Sequence, residues 1–264
     1  MIGLFRSELL KVVTTRLWWG LLLGLVASSA ALSVLIGAVT GLTATAGGPR
    51  PSLDDPAVVR SVYTAGLQVS YLFALAFGVI AMSGEYRHRT ITATVLASPR
   101  RARVVVAKLA AVTLVGLGYG LVSVVAGVAG GIPVILVRHG TLHLTSDGIP
   151  RALGLSVVAI ALWAVLGLGI GTLLRNQVVA LLISVGVAWI VEPVTALLLN
   201  TAGVGAVARF LPGQATTAVT SPASSGGGLT VQLLPWWGGV LVLLAYAVVS
   251  GSLGAGLTLR RDLT

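Results

Sequence analysis

The residues able to do chemistry are few and unevenly placed. Between two long uncharged runs lies Ser83-Gly84-Glu85-Tyr86-Arg87-His88-Arg89-Thr90, followed by Leu96-Ala97-Ser98-Pro99-Arg100-Arg101. Glu85 and Arg89 stand i,i+4, Ile91 and Val95 share a helical face, and Ser98-Pro99 ends the pattern. The spacing predicts a short amphipathic helix at a membrane surface, bounded by a basic cluster. Such a segment suits contact with lipid headgroups or docking of a cytoplasmic partner. A second group is Glu192, in Trp189-Ile190-Val191-Glu192-Pro193. It lies about fifteen residues into an apolar run, hence roughly 20 Å along it. A lone carboxylate at that depth is costly, so it calls for a cavity or a partner such as Arg209. Pro193 removes a backbone donor beside it. Two readings stay open: a structural ion pair near the outer boundary, or a group in a substrate path or gate with Arg209, Phe210 and Pro212.

Catalytic sets are missing. His88, His139 and His143 all fall between the apolar runs, so no run carries the base of a nucleophile–His pair. There is no His-Glu-x-x-His, and neither Lys11 nor Lys108 follows a phosphate-cradling Gly-rich loop. Cysteine is absent, which removes disulfides, thiolate metal sites and Cys nucleophiles. The expectation is a chain that is no enzyme and binds no metal or cofactor itself. Any ATP chemistry belongs to a partner.

The elements that must position these groups follow from composition. The 264 residues are 56% hydrophobic and only 9% charged, with a mean hydropathy of +1.00, against about 25% charged in a soluble domain. Too few charges are present to coat a globule in water. The fold class expected is an all-α integral membrane protein, a single transmembrane domain over 1–264. Six spans are predicted at about 17–44, 61–84, 108–137, 151–174, 178–199 and 235–259. The cytoplasmic segment runs from 85 to 103, and 200–234 reads mostly as an outer loop with a short helix near 202–210 and a breaker at Pro212-Gly213. Before the first span, Phe5, Leu9, Val12 and Val13 recur at helical spacing, with Glu8 and Lys11 paired i,i+3 and Arg16 just before Trp18-Trp19. That predicts an amphipathic interfacial helix. Ala44-Thr45-Ala46 has the form of a signal-cleavage site, but the run before it is too long for a signal-peptide core.

Of the seventeen basic residues, twelve fall in the N-terminal stretch, the 85–108 segment, the Arg175 turn and the C-terminus, and five on the opposite side. The positive-inside rule then places both termini in the cytoplasm. It also accounts for the net charge of +10 without nucleic acid. The pairs Gly20/Gly24, Gly37/Gly41, Gly116/Gly120 and Gly167/Gly171 predict close helix packing.

In Gly84-Glu85-Tyr86-Arg87, Thr90 and Leu96-Ala97-Ser98-Pro99-Arg100 the chain resembles the permease subunits of ABC-2 type ABC exporters. Ser7-Glu8-Leu9-Leu10-Lys11 before Thr15, six spans, and Phe210-Leu211-Pro212-Gly213 in the last outer loop add to the likeness. The resemblance implies a second permease copy, identical or similar, and cytoplasmic ATPase subunits, two in number, that hold ATP and Mg. It implies that Glu85, Tyr86, Arg87, Arg89, Thr90, Arg100 and Arg101 lie at a coupling helix against the ATPase. It also implies a bacterial cytoplasmic membrane, export of a drug, antibiotic or lipid, and short helices in the 200–234 region. The Gly/Ser-rich stretch 221–228 departs from the pattern. A secondary carrier is the competing class; it needs ion-coupling groups near the midplane, and only Glu192 lies within a span.

Overall fold

The computed structural model describes residues 2–42, 51–87, 101–145, 148–174, 176–220 and 233–260. These residues are almost entirely helical, and no strand occurs among them. In chain order the helices are α1 (Ile2–Thr14), α2 (Leu17–Val39), α3 (Pro56–Thr64), α4 (Leu67–Arg87), α5 (Arg101–Val137), α6 (Ile149–Leu173), α7 (Gln177–Gly186), a π-helical turn (Val187–Val191), α8 (Glu192–Thr201), α9 (Gly205–Ala208), α10 (Pro212–Thr220) and α11 (Trp236–Arg260).

Six stretches are long and apolar enough to cross a membrane: Leu17–Val39, Pro56–Glu85, Arg103–Val137, Ile149–Leu173, Gln177–Thr201 and Trp236–Leu253. Their outward faces carry Leu23, Leu121, Val125, Leu182, Ile190 and Val248, all exposed. Water would not tolerate that much contiguous apolar surface, whereas hydrocarbon does. The chain is a multi-pass membrane protein on this criterion of length and composition.

Several boundaries differ from those read in the sequence, beginning with the first span, whose helix ends at Val39, short of 44, where the chain turns at Thr40 and Gly41. Residues 56–60, outside the predicted 61–84 span, open α3, because Asp55 caps it by accepting from the Ala57 N–H at 2.8 Å and Pro56 needs no N–H partner in the first turn. The second span is therefore the pair α3–α4, broken at Ala65-Gly66, where Gly66 lies against Ser29. The third helix begins at Arg101 rather than 108. At 37 residues it is roughly 55 Å long, well beyond the ~30 Å of a hydrocarbon core. In the 200–234 region Pro212 starts a helix instead of ending one, since the first turn is where proline fits. The expected 202–210 helix shrinks to α9, and 221–232 lies outside the described residues.

Helix α6 is the hub, packed against α4, α5 and α11. Close approach to it depends on glycine. Gly167 and Gly171 of α6 sit on the backbones of Leu75 and Val79 in α4, while Gly78 of α4 sits on the Ala164 carbonyl. Gly116 and Gly120 of α5 meet Ala161 and Val157, and Gly169 meets Ser250 of α11. A Cβ at any of these positions would collide with backbone or a packed side chain. The other two expected pairs behave differently: Gly20 faces nothing, and Gly41 falls beyond the end of α2 in a left-handed turn (φ +78°). Around this seam Trp163 is buried, stacks on Tyr71 with ring centroids 4.5 Å apart, and donates its indole N–H to Thr216 Oγ1 of α10 at 2.8 Å. A second, smaller core joins Val59, Val62, Tyr63, Ile135 and Ile149 at the far end of α5.

Candidate functional site: a buried charge cluster at the root of the basic segment

In α1, Glu8 and Lys11 stand three residues apart and so share one helical face. That face meets the last turn of α4, which holds Glu85, and the second turn of α5, which holds Lys108. Lys108 Nζ lies 2.6 Å from Glu8 Oε2 and 2.9 Å from Glu85 Oε1. Lys11 Nζ lies 2.6 Å from Glu8 Oε1 and 2.8 Å from Glu85 Oε1. Glu8, Glu85 and Lys108 are buried, and Lys11 is half-exposed. The only two lysines of the chain thus neutralise two carboxylates held away from water.

Burial by itself would raise the Glu8 pKa, but the Lys108 and Lys11 ammonium groups outweigh it and hold the carboxyl below its ordinary range. Desolvation likewise works to lower Lys11, and its hydrogen bonds to Glu8 and Glu85 reverse that, leaving it raised. Glu85 stands at the C-terminal end of α4, where the helix dipole disfavours an anion. The two lysines are what make that placement tolerable. Removing one partner from such a set leaves an uncompensated buried charge, worth about 3–5 kcal/mol.

The cluster ties together the two helix ends between which the basic segment is strung. Tyr86 and Arg87 are the last residues of α4, and Arg101 is the first of α5. Arg89, Thr90 and Arg100 lie outside the described residues, as does the expected amphipathic helix of the 85–103 segment beyond Arg87. The Glu85 carboxylate turns inward to Lys11 and Lys108. The Glu8–Lys11 pair expected at i,i+3 forms, and Arg16 stands exposed in the short break between α1 and α2. The long-range part of the cluster, Glu8 to Lys108 across 100 positions, carries no local sequence signal. That both lysines and both glutamates fall beside the apolar runs is the one hint available.

Beside the cluster opens a cavity of about 500 Å³, bounded by α1, the start of α2, the later turns of α4 and the first turns of α5.

Glu192 sits elsewhere. Its carboxylate accepts the backbone N–H groups of Gly213 and Gln214 in the first turn of α10. The expected ion pair with Arg209 does not form. The Arg209 guanidinium lies 5.0 Å from the Phe210 ring centroid, and its Nε is buried without an acceptor among the described residues. The physical reason is local: the N-terminal turn of α10 offers Glu192 two oriented donors and a favourable dipole end. Pro193 takes the second position of α8, and the helix accommodates it by the π turn just before. Glu192, Pro193, Pro212 and the α10 start are therefore neighbours, whereas Arg209 and Phe210 pair with each other.

A third polar group was not anticipated. Ser29, Ser70 and Ser123, from α2, α4 and α5, form a buried ring of hydroxyls with Oγ separations of 2.7, 2.8 and 2.8 Å. Each serine is unremarkable within its own apolar run, and only the packing brings them together. Among the described residues no group of His, Asp and Glu has the makings of a metal site. His143 instead hydrogen-bonds the Asp54 carbonyl at 3.0 Å. No family model matches the chain, and no curated protein matches it.

Proposed function

We propose that this chain is the membrane-spanning permease subunit of an ABC exporter of the ABC-2 type. It would move an amphipathic or apolar cargo (drug, antibiotic or lipid) out across a bacterial cytoplasmic membrane while a separate ATPase subunit hydrolyses ATP. The observation that carries the reading is the buried cluster of Glu8, Lys11, Glu85 and Lys108. It makes one rigid joint of α1, the α4 end and the α5 start, the two points from which the basic segment departs. A partner pushing on that segment would move all three helices together, and α5 and α4 would carry the displacement to the α6 seam. Only differential contact of the partner with two states of this joint can drive transport. Both termini are assigned to the cytoplasm by the distribution of Lys and Arg.

In this reading Glu85 positions the joint, and Arg87, Arg89, Thr90, Arg100 and Arg101 are the groups placed to meet the ATPase. The test is reconstitution in proteoliposomes with a P-loop ATPase subunit that co-purifies with this chain, comparing wild type with Arg87→Ala and Arg89→Ala. Loss of ATP-dependent efflux and of ATPase stimulation, with unchanged membrane insertion, is expected. Wild-type values of both would sink the proposal. A second reading, an ion-coupled carrier, draws on Glu192, a buried carboxylate in the fifth span with no basic partner among the described residues. It requires uptake or efflux driven by a proton gradient without ATP and abolished by Glu192→Gln.

A further inference from the structure

The 500 Å³ cavity beside the charge cluster has the size of a small-molecule site, about 300–1,000 Å³. Its lining includes the apolar Trp18, Phe77, Ile80 and Val112 and the polar Lys11, Arg16 and Gln177. The charges of the wall do not cancel. Glu8 and Glu85 are matched by Lys11 and Lys108, and Arg16 is left over, making no hydrogen bond or ion pair with any described residue. An ammonium has three N–H donors; Lys11 spends two, on Glu8 and Glu85, and its side chain is 41% exposed. A cation entering the cavity would have to compete with both lysines for carboxylates already engaged. An anion meets a free guanidinium and an unspent ammonium N–H. The α1–α2 junction lines the cavity, and there Trp18 and Trp19 lie in contact, ring centroids 4.3 Å apart, a pairing suited to the headgroup level of a bilayer.

We propose that this cavity binds one amphipathic anion, with an aliphatic chain along Trp18, Phe77, Ile80 and Val112 and a phosphate-type head between Arg16 and Lys11. The chemistry is shared by an anionic phospholipid of the bilayer and by a free single-chain amphiphile. The site needs no ATPase, so its fate is independent of the exporter reading.

The test uses the full chain, purified in neutral detergent and stripped of lipid, with binding read by native mass spectrometry. Phosphatidylglycerol, phosphatidylcholine of the same chains, and dodecyl phosphate are the probes. One phosphatidylglycerol should bind about tenfold or more tightly than phosphatidylcholine, the effect of a single charge-assisted hydrogen bond. Arg16→Gln, at an exposed position, should erase that preference. Gly84→Leu should block binding of both lipids, because a Cβ at Gly84, which lines the cavity, meets no atom within 4 Å and the added side chain fills free space. Phosphatidylglycerol that dodecyl phosphate fails to displace identifies a bilayer lipid; displacement by the tighter-binding dodecyl phosphate identifies a free amphiphile. Equal binding of the two phospholipids, or a preference untouched by Arg16→Gln, overturns the proposal.

Discussion

Replacing Lys108 by Met tests the charge cluster most directly. The Lys108 side chain is 10% exposed and stands between Glu8 and Glu85 at 2.6 and 2.9 Å. Methionine keeps most of the aliphatic stem and its packing but removes the charge. Two buried carboxylates are then left to share Lys11. Breaking a buried ion pair costs about 3–5 kcal/mol. One lysine remains, so the loss falls at the low end, about 3 kcal/mol. At about 2–4 °C per kcal/mol for a chain of this size, the midpoint should drop by about 6–12 °C. The assay is thermal unfolding of the detergent-solubilised protein, followed by loss of the monodisperse peak in size exclusion. A second arm removes one carboxylate as well. Lys108→Met with Glu85→Gln restores charge balance, so the double variant should be more stable than the sum of the single losses by about 0.5–3 kcal/mol. A single variant within about 2 °C of wild type, or a strictly additive double, refutes the reasoning.

The pH response follows from the same groups. The lowered Glu8 contributes stability that is complete above its ordinary value of 4.5 and is lost as pH falls through the lower folded value. The raised Lys11 contributes stability that is complete below 10.5 and is lost as pH rises through the higher folded value. Melting temperature should therefore fall at both ends of the scale, with Glu8→Gln flattening the acid limb and Lys11→Met the alkaline one. Gly78→Ala should destabilise by about 1–3 kcal/mol by overpacking against Ala164, while Gly154→Ala in α6, where a Cβ meets nothing, should gain up to about 1 kcal/mol of helix propensity; thermal melts of the pair decide it. Glu192→Ala should lose about 1–2 kcal/mol through two orphaned N–H groups of α10, and Glu192→Gln, which keeps an acceptor oxygen, clearly less in the same melts.

The six apolar helices were legible because hydrocarbon demands long runs without charge, a signal local to each run. Boundaries set by caps were partly legible too: Asp55-Pro56 is a helix-start signal, here masked by its likeness to a turn. What the sequence does not display is pairing across the bundle. Glu85 satisfies the i,i+4 rule with Arg89 on paper, yet two lysines from other helices hold it. Glu192 and Arg209 invite an ion pair by sign alone, but two backbone donors of α10 compete better for the carboxylate. Local rules rank partners on one helix and are silent about those that packing delivers.

The distance of 100 residues between Glu8 and Lys108 also has a meaning in time. A ribosome adding about 5–20 residues per second needs roughly 5–20 s to produce Lys108 after Glu8 has emerged. During that interval Glu8 has Lys11 alone, and Glu85, once made, joins as a second anion before its second cation exists. The joint therefore cannot close until the third span begins to appear. The nascent chain carries an unbalanced acidic pair whose neutralisation marks the moment when α1, α4 and α5 become one unit.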